Sequence, residues 1–273
     1  MDNKRTRLIA TLILCIPALL HFAPVFYLVC MSFKVGGEAI QYPPKLLPEA
    51  LNFANYHAAL EMAPLTRFLL NSVIVSTVMM LVQVVTSIMA AYALARIDFP
   101  KKEWILGFIL MTMFVPGEVV IIPNYFTMAS WDWLNSYRGL IAPYAASGFG
   151  VFLLYQFFRT VPKELEEAAL IDGCSRLRFL FQIMVPLAMP AILAFALYSF
   201  VNSWNQYLWP LVVTQSTEMQ TAQIGLGMFR SQNESMSWGV VMAATTLLIA
   251  PTVVLFVATQ KHFVRGITMS GMK

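Results

Sequence analysis

Residues 160–179 read Thr160-Val161-Pro162-Lys163-Glu164-Leu165-Glu166-Glu167-Ala168-Ala169-Leu170-Ile171-Asp172-Gly173-Cys174-Ser175-Arg176-Leu177-Arg178-Phe179. Thr160 is an N-cap residue type, and Pro162 is tolerated in a first helical turn. Glu164, Glu166 and Glu167 then fall toward the positive end of the helix dipole. Gly173 marks a stop where left-handed backbone is needed, and Ser175 can cap a second helix. The expectation is a helix of about 12 residues, roughly 18 Å long, outside any bilayer. Leu165, Ala168 and Ala169 share one face of it, and two adjacent alanines permit close approach by another surface. A helix resting on the membrane interface is the alternative these residues leave open.

On both sides of this stretch the chain is apolar. Of its 273 residues 59% are apolar and 12% charged, about half the charged share of an average soluble domain. Six stretches can cross a hydrocarbon core of about 30 Å: 8–32, 68–95, 104–125, 139–158, 183–213 and 239–260. The longest connection, 33–67, has room for a small external cap. The division is a first transmembrane helix with its external loop, 1–67, and a five-helix core, 68–273, containing the loop 160–182.

Lysine and arginine near the ends of spans are retained on the cytoplasmic side. With the amino terminus inside, the inner segments hold Lys4, Arg5, Arg7, Arg96, Lys101, Lys102, Arg159, Lys163, Arg176, Arg178, Lys261, Arg265 and Lys273. The outer ones hold Lys34, Lys45, Arg67, Arg138 and Arg230, five against thirteen. The expected class is an all-α polytopic membrane protein with six transmembrane helices and both termini cytoplasmic. The net charge of +4 is an orientation signal, with no basic patch suited to nucleic acid. The first span is too long for a cleaved leader and lacks a clear small-x-small site. Cys15 and Cys30 stand about 22 Å apart on one helix and Cys174 lies inside, so neither a disulfide framework nor a metal-ligand spacing is available.

Within the spans, Pro17 and Pro24 are expected to bend the first, with His21 between them as either a proton relay or a packed residue bonded to a freed carbonyl. The third is interrupted by Pro116-Gly117 and is expected to stop near Pro123. Glu118, the acidic residue well inside a span, is either a functional carboxylate or one that bonds backbone amides released by the break. The fifth is too long to be straight, and Pro186, Pro190 and Pro210 predict bends. Its end reads Asn202-Ser203-Trp204-Asn205-Gln206-Tyr207-Leu208-Trp209-Pro210. Amides alternating with aromatics there suit a sugar-like or polyol solute, with Asn202, Trp204, Asn205, Tyr207 and Glu118 as candidate path residues. An aromatic belt is the competing reading for Tyr207 and Trp209. Gly225-Leu226-Gly227 lacks nucleotide-fingerprint context, and Asn233-Glu234-Ser235 would matter only in a glycosylating system.

Glu167-Ala168-Ala169, then Gly173, then Ile183-Met184-Val185-Pro186 resembles the EAA signature of binding-protein-dependent ABC importers, with Val185 where leucine is usual. Asn71-Ser72, Ala91-Tyr92-Ala93-Leu94-Ala95-Arg96 and Phe99-Pro100 extend the resemblance to the smaller carbohydrate-uptake permeases of the maltose type. Trp204 to Pro210 and Lys261-His262-Phe263-Val264-Arg265-Gly266 look most like the permeases for glycerol 3-phosphate and glycerophosphodiesters, although oligosaccharide permeases share versions of both.

The resemblance implies an ABC importer permease of the bacterial cytoplasmic membrane whose loop is a coupling helix seated on an ATPase subunit through Glu164, Glu167, Ala168, Ala169, Asp172 and Gly173. It further implies a second, different permease, two ATPase subunits and an external substrate-binding protein. No Gly-x4-Gly-Lys-Ser/Thr occurs, so the chain has no phosphate-binding loop; ATP would be bound by the partners, with no cofactor here. An ion-coupled transporter would show several intramembrane carboxylates or related broken helices, and an intramembrane enzyme a catalytic constellation. His21 and Glu118 make neither.

Overall fold

The computed structural model describes residues 3–231 and 237–270; the Asn233-Glu234-Ser235 triplet and Lys273 lie outside the described residues. The helices are α1 (Asn3–Ser32), α2 (Ala54–Met62), α3 (Leu65–Arg96), α4 (Lys102–Thr112), α5 (Ile121–Ser130), α6 (Tyr137–Ile141) and α7 (Gly148–Thr160). They continue as α8 (Lys163–Ile171), α9 (Arg176–Phe179), α10 (Val185–Leu187), α11 (Met189–Trp204), α12 (Leu208–Val213), α13 (Ala222–Ser231) and α14 (Trp238–Ser270). Among the described residues there is no strand.

Among the described residues, three helical stretches are long and apolar enough to cross a membrane unaided: Thr11–Ser32, Leu65–Arg96 and Trp238–Val257. Three more arise if bent pairs count as single spans. Lys102–Thr112 meets Gly117–Ser130 at 93°, Tyr137–Tyr144 meets Gly148–Thr160 at 47°, and Arg176–Leu187 meets Met189–Trp204 at 80°. The first break covers residues 113–116 and ends at Pro116, which has no N–H to continue the ladder and caps the next turn. Pro123 does not end that span as expected. It lies in the first turn of α5, where a missing N–H leaves no bond unmade. At the third break a π-turn over Leu180–Met184 precedes Pro186, and Pro190 opens α11. Pro17 and Pro24 are carried inside a continuous α1.

The chain forms two compact units, Met1–Arg67 with Gly225–Pro251 and Phe68–Ile224 with Thr252–Lys273. In the first, the connection after α1 folds on an aromatic cluster in which Phe33 lies 5.3 Å from Phe53 and 5.4 Å from Tyr56. Asn55 Nδ2 donates to the carbonyls of Ser32 at 2.9 Å and Lys34 at 2.6 Å. Gly239 of α14 packs so closely that a Cβ there would stand 2.4 Å from Asn55 Nδ2. His21 is exposed on α1, its Nδ1 2.7 Å from the Pro17 carbonyl. That carbonyl is not one freed by proline, which would belong to Ile13 or Leu20, so His21 is neither packed nor filling a proline gap.

The described residues of the second unit include two apolar clusters. One gathers Ile88, Ala91, Tyr92, Leu154, Phe158 and Ile192 with Ala169, Phe179 and Leu180 of the α8–α9 region. The other gathers Val75, Met79, Met128, Leu140, Trp209 and Val213. Within a bilayer such clusters are held by van der Waals packing between helices, because lipid is as apolar as the side chains themselves.

Candidate functional site

The loop between α7 and α10 is built by local chemistry. Val161 is extended, as a residue before proline prefers, so α7 ends at Thr160 and Pro162 takes the cap position of α8. The expected Thr160 cap is not formed. Its hydroxyl donates back to the Phe157 carbonyl at 2.7 Å, and α8 is nine residues long rather than about twelve. The other end matches the expectation. Gly173 has φ +75° with open space around its missing Cβ, so the requirement is for backbone conformation alone. Cys174 N donates to Ala169 O at 2.9 Å and Gly173 N to Leu170 O at 3.0 Å, the paired bonds of a Schellman stop. Ser175 Oγ then accepts from Arg178 N at 3.4 Å to start α9.

Ala169, 8% exposed, faces the apolar cluster, whereas Ala168 faces outward. The two alanines therefore do not share an outer face as expected. What lies outward is Leu165 and Ile171, 44% and 86% exposed, with Ala168 between them. Glu164, Glu167, Asp172 and Gly173 are exposed around this strip. Such a surface is suited to a protein partner.

Elsewhere in the same unit a cavity of about 420 Å³ is lined by Gly117, Glu118, Ile121, Tyr144, Asn202, Asn205, Gln206, Tyr207, Leu208 and Trp209. The break at 113–116 and the break between α11 and α12 place these residues together. Four of the five expected path residues, Glu118, Asn202, Asn205 and Tyr207, line it. Trp204 does not: it is 3% exposed and stacks on Phe200 at 5.8 Å and 17°. Trp209 is not part of an aromatic belt either, being 2% exposed with Nε1 donating to Gly139 O at 3.2 Å. Glu118 is exposed to the cavity, and its carboxylate forms no hydrogen bond or ion pair with a described residue. The reading in which it bonds released amides is therefore not met. Tyr144 and Gln206 are lining residues that the sequence reading missed. Gln83 was missed too, although an amide in the middle of an apolar helix is a signal; it donates to Tyr144 O at 2.6 Å and accepts from Ser199 Oγ at 2.7 Å.

Residues 83–269 match the family described as binding-protein-dependent transport system inner membrane component. This chain belongs to that family. The binding-protein-dependent permease is 32% identical over 100% of its length, and 95% of the relative's, to the sulfoquinovosyl glycerol transport system permease protein SmoH of Agrobacterium fabrum. It is 35% identical, over 96% of its length and 95% of the relative's, to the sn-glycerol-3-phosphate transport system permease protein UgpE of the same organism. Its fold matches a chain of a bacterial ABC transporter involved in import of the acidic polysaccharide alginate, with TM-score 0.83 and 24% identity over 96% of this chain and 99% of that one. The expected assignment to ABC importer permeases of the inner membrane is met.

Proposed function

We propose that this permease is one of two different membrane chains in an ATP-driven importer, served by two ATPase subunits and an external substrate-binding protein. It crosses the membrane six times with both termini cytoplasmic, as residues 1–67 plus a five-helix core, 68–273. Support comes from three unaided spans plus three bent pairs and from the lysine and arginine placement. ATP binds the partner subunits, and this chain catalyses nothing.

The observation that carries the mechanism is the α8–α9 loop: fixed inward by Ala169 and Phe179, ended by the Gly173 stop, and exposing Leu165, Ala168 and Ile171. It is the surface on which an ATPase subunit docks. ATP closes the ATPase dimer, the loop moves with it, and the spans re-tilt to exchange outward for inward access. Gly173→Val and Glu167→Lys should each collapse uptake while membrane insertion survives; normal uptake in both overturns this reading. ATP depletion should abolish uptake, and dissipating ion gradients should not.

The solute we favour is glycerol 3-phosphate or a glycerophosphodiester, supported by the names of SmoH and UgpE, both of which specify a glycerol compound. The cavity's amides and the Tyr207 and Tyr144 rings suit hydroxyl groups. A neutral oligosaccharide or polyol is the second reading, favoured by the unpaired Glu118 carboxylate, which repels an anion. The solute retained by the co-purified binding protein decides between them.

A further inference from the structure

The stretch Ala91-Tyr92-Ala93-Leu94-Ala95-Arg96 carries two polar side chains, Tyr92 and Arg96, at the end of α3. Arg96 closes α3, and its side chain is only 3% exposed. Its Nη2 donates to the Phe158 carbonyl at 2.8 Å and the Val161 carbonyl at 2.5 Å, and its Nη1 lies 3.5 Å from Glu166 Oε2. One guanidinium thus joins the end of α3 to the end of α7 and the first turn of α8. A guanidinium is suited to this because its donors form a rigid fork. One turn earlier, the Tyr92 hydroxyl donates to the Arg176 carbonyl at 3.3 Å. The end of α3 therefore holds both shoulders of the loop, α8 before Gly173 and α9 after it.

The same helix makes polar bonds at two further levels. Gln83, about 20 Å along the axis from Arg96, bonds Tyr144 of the cavity wall and Ser199 of α11. Asn71, about 37 Å from Arg96, donates to the carbonyls of Glu218 and Gln220, both at 2.8 Å, and Ser72 accepts from Ala222 N at 2.8 Å. α3 runs 32 residues without a break, whereas the three helix pairs packed in this unit are bent by 93°, 47° and 80°. A bent element absorbs displacement at its hinge, and an unbroken helix passes it along.

We infer that α3 is the rod that carries loop movement across the membrane. Arg96 and Tyr92 are positioning residues that fasten the loop to it. Gln83 and Asn71 deliver the displacement to the cavity wall and to the 218–222 segment at the far end. This rests on the loop being the ATPase dock, and the experiment separates the two claims.

Thr217 is exposed beside the far segment. In the intact complex in nanodiscs, with Cys15, Cys30 and Cys174 replaced by serine, T217C carries an environment-sensitive fluorophore. The probe is ATP with orthovanadate, so no solute need be known. In the parent, ATP and vanadate should change the fluorescence. R96Q should keep its ATPase partner and its ATP hydrolysis but lose about 2- to 30-fold of that change, the span of coupling effects seen on perturbing such networks. E166Q should lose less, since both carbonyl contacts remain, and R96K should recover part of the change. If R96Q does not insert, Y92F and Q83L remain, each expected to cut the change at least about twofold. An undiminished change in variants that insert overturns the rod. So does a parent without any change, or an R96Q complex that has lost its ATPase. If the dock itself is wrong, G173V retains full uptake, a result independent of the fluorescence.

Discussion

The side chain of Asn71 donates to the backbone carbonyl of Gln220, 149 residues away, at 2.8 Å. The same amide also serves Glu218 O, and its Oδ1 accepts from the Tyr137 hydroxyl at 2.8 Å. Asn71 is fully buried, so no water replaces a lost partner. An unmade buried bond costs about 1–3 kcal/mol; Asn71→Ala should therefore destabilise by on the order of 2–4 kcal/mol. Asn71→Asp should be worse, because it turns a donor into an acceptor facing two carbonyl oxygens. Thermal unfolding in detergent measures both, and a wild-type midpoint in the aspartate variant would refute the network.

Trp204 and Asn205 are neighbours in opposite surroundings. Trp204→Ala removes a buried indole stacked on Phe200 and should cost about 3–5 kcal/mol. Asn205 is exposed to the cavity, its Oδ1 accepting only a long bond of 3.4 Å from Gln223. Asn205→Ala should leave stability within about 0.5 kcal/mol and alter uptake. Melting and initial uptake rate, measured on both variants, separate the roles. If Trp204→Phe abolished uptake in a stable protein, the indole would be a solute contact after all.

In the turn joining α3 to α4, Lys102 Nζ lies 2.6 Å from Asp98 Oδ1. The hydrogen bond and charge of Lys102 hold the Asp98 carboxyl below its ordinary value. A depressed carboxylate contributes stability that is present above the ordinary value, about 3.9, and is lost as pH falls through the lowered one. Asp98→Asn should thus melt slightly lower than wild type at pH 7, and the gap should close in acid below about pH 4. A gap that widens on acidification would contradict this. Both groups lie at the surface, so the effect should be small and should shrink with salt.

The features legible in the sequence are those decided by neighbouring residues. Gly173 and Ser175 stop one helix and start the next through bonds within a few positions, and Pro116-Gly117 announces a break. What a break does to direction depends on packing, so 93° could not be read from Pro116. Thr160 misled because Val161-Pro162 moved the cap by two residues. Trp204 misled because residue type does not say which face of a helix meets the core; its neighbours Asn202 and Asn205 point to the cavity while it does not. The Arg96–Glu166 pair spans seventy positions, and no local pattern announces it.

Glu118 offers the sharpest test of the solute. Its carboxylate faces a cavity of about 420 Å³ with Tyr144 and the amides of Asn202 and Asn205. An anionic solute passing there meets like charge, whereas a neutral polyol finds a hydrogen-bond acceptor. Glu118→Gln keeps the shape and removes the charge. If glycerol 3-phosphate is the solute, its uptake by Glu118→Gln should equal or exceed that of wild type. If the solute is a neutral polyol, a lost charge-assisted bond of about 1.5–3 kcal/mol should lower uptake about 10- to 150-fold. Initial rates in vesicles at fixed binding-protein concentration distinguish these, and Glu118→Lys extends the contrast. For an anion it should raise uptake further, and for a neutral solute it should not rescue the loss.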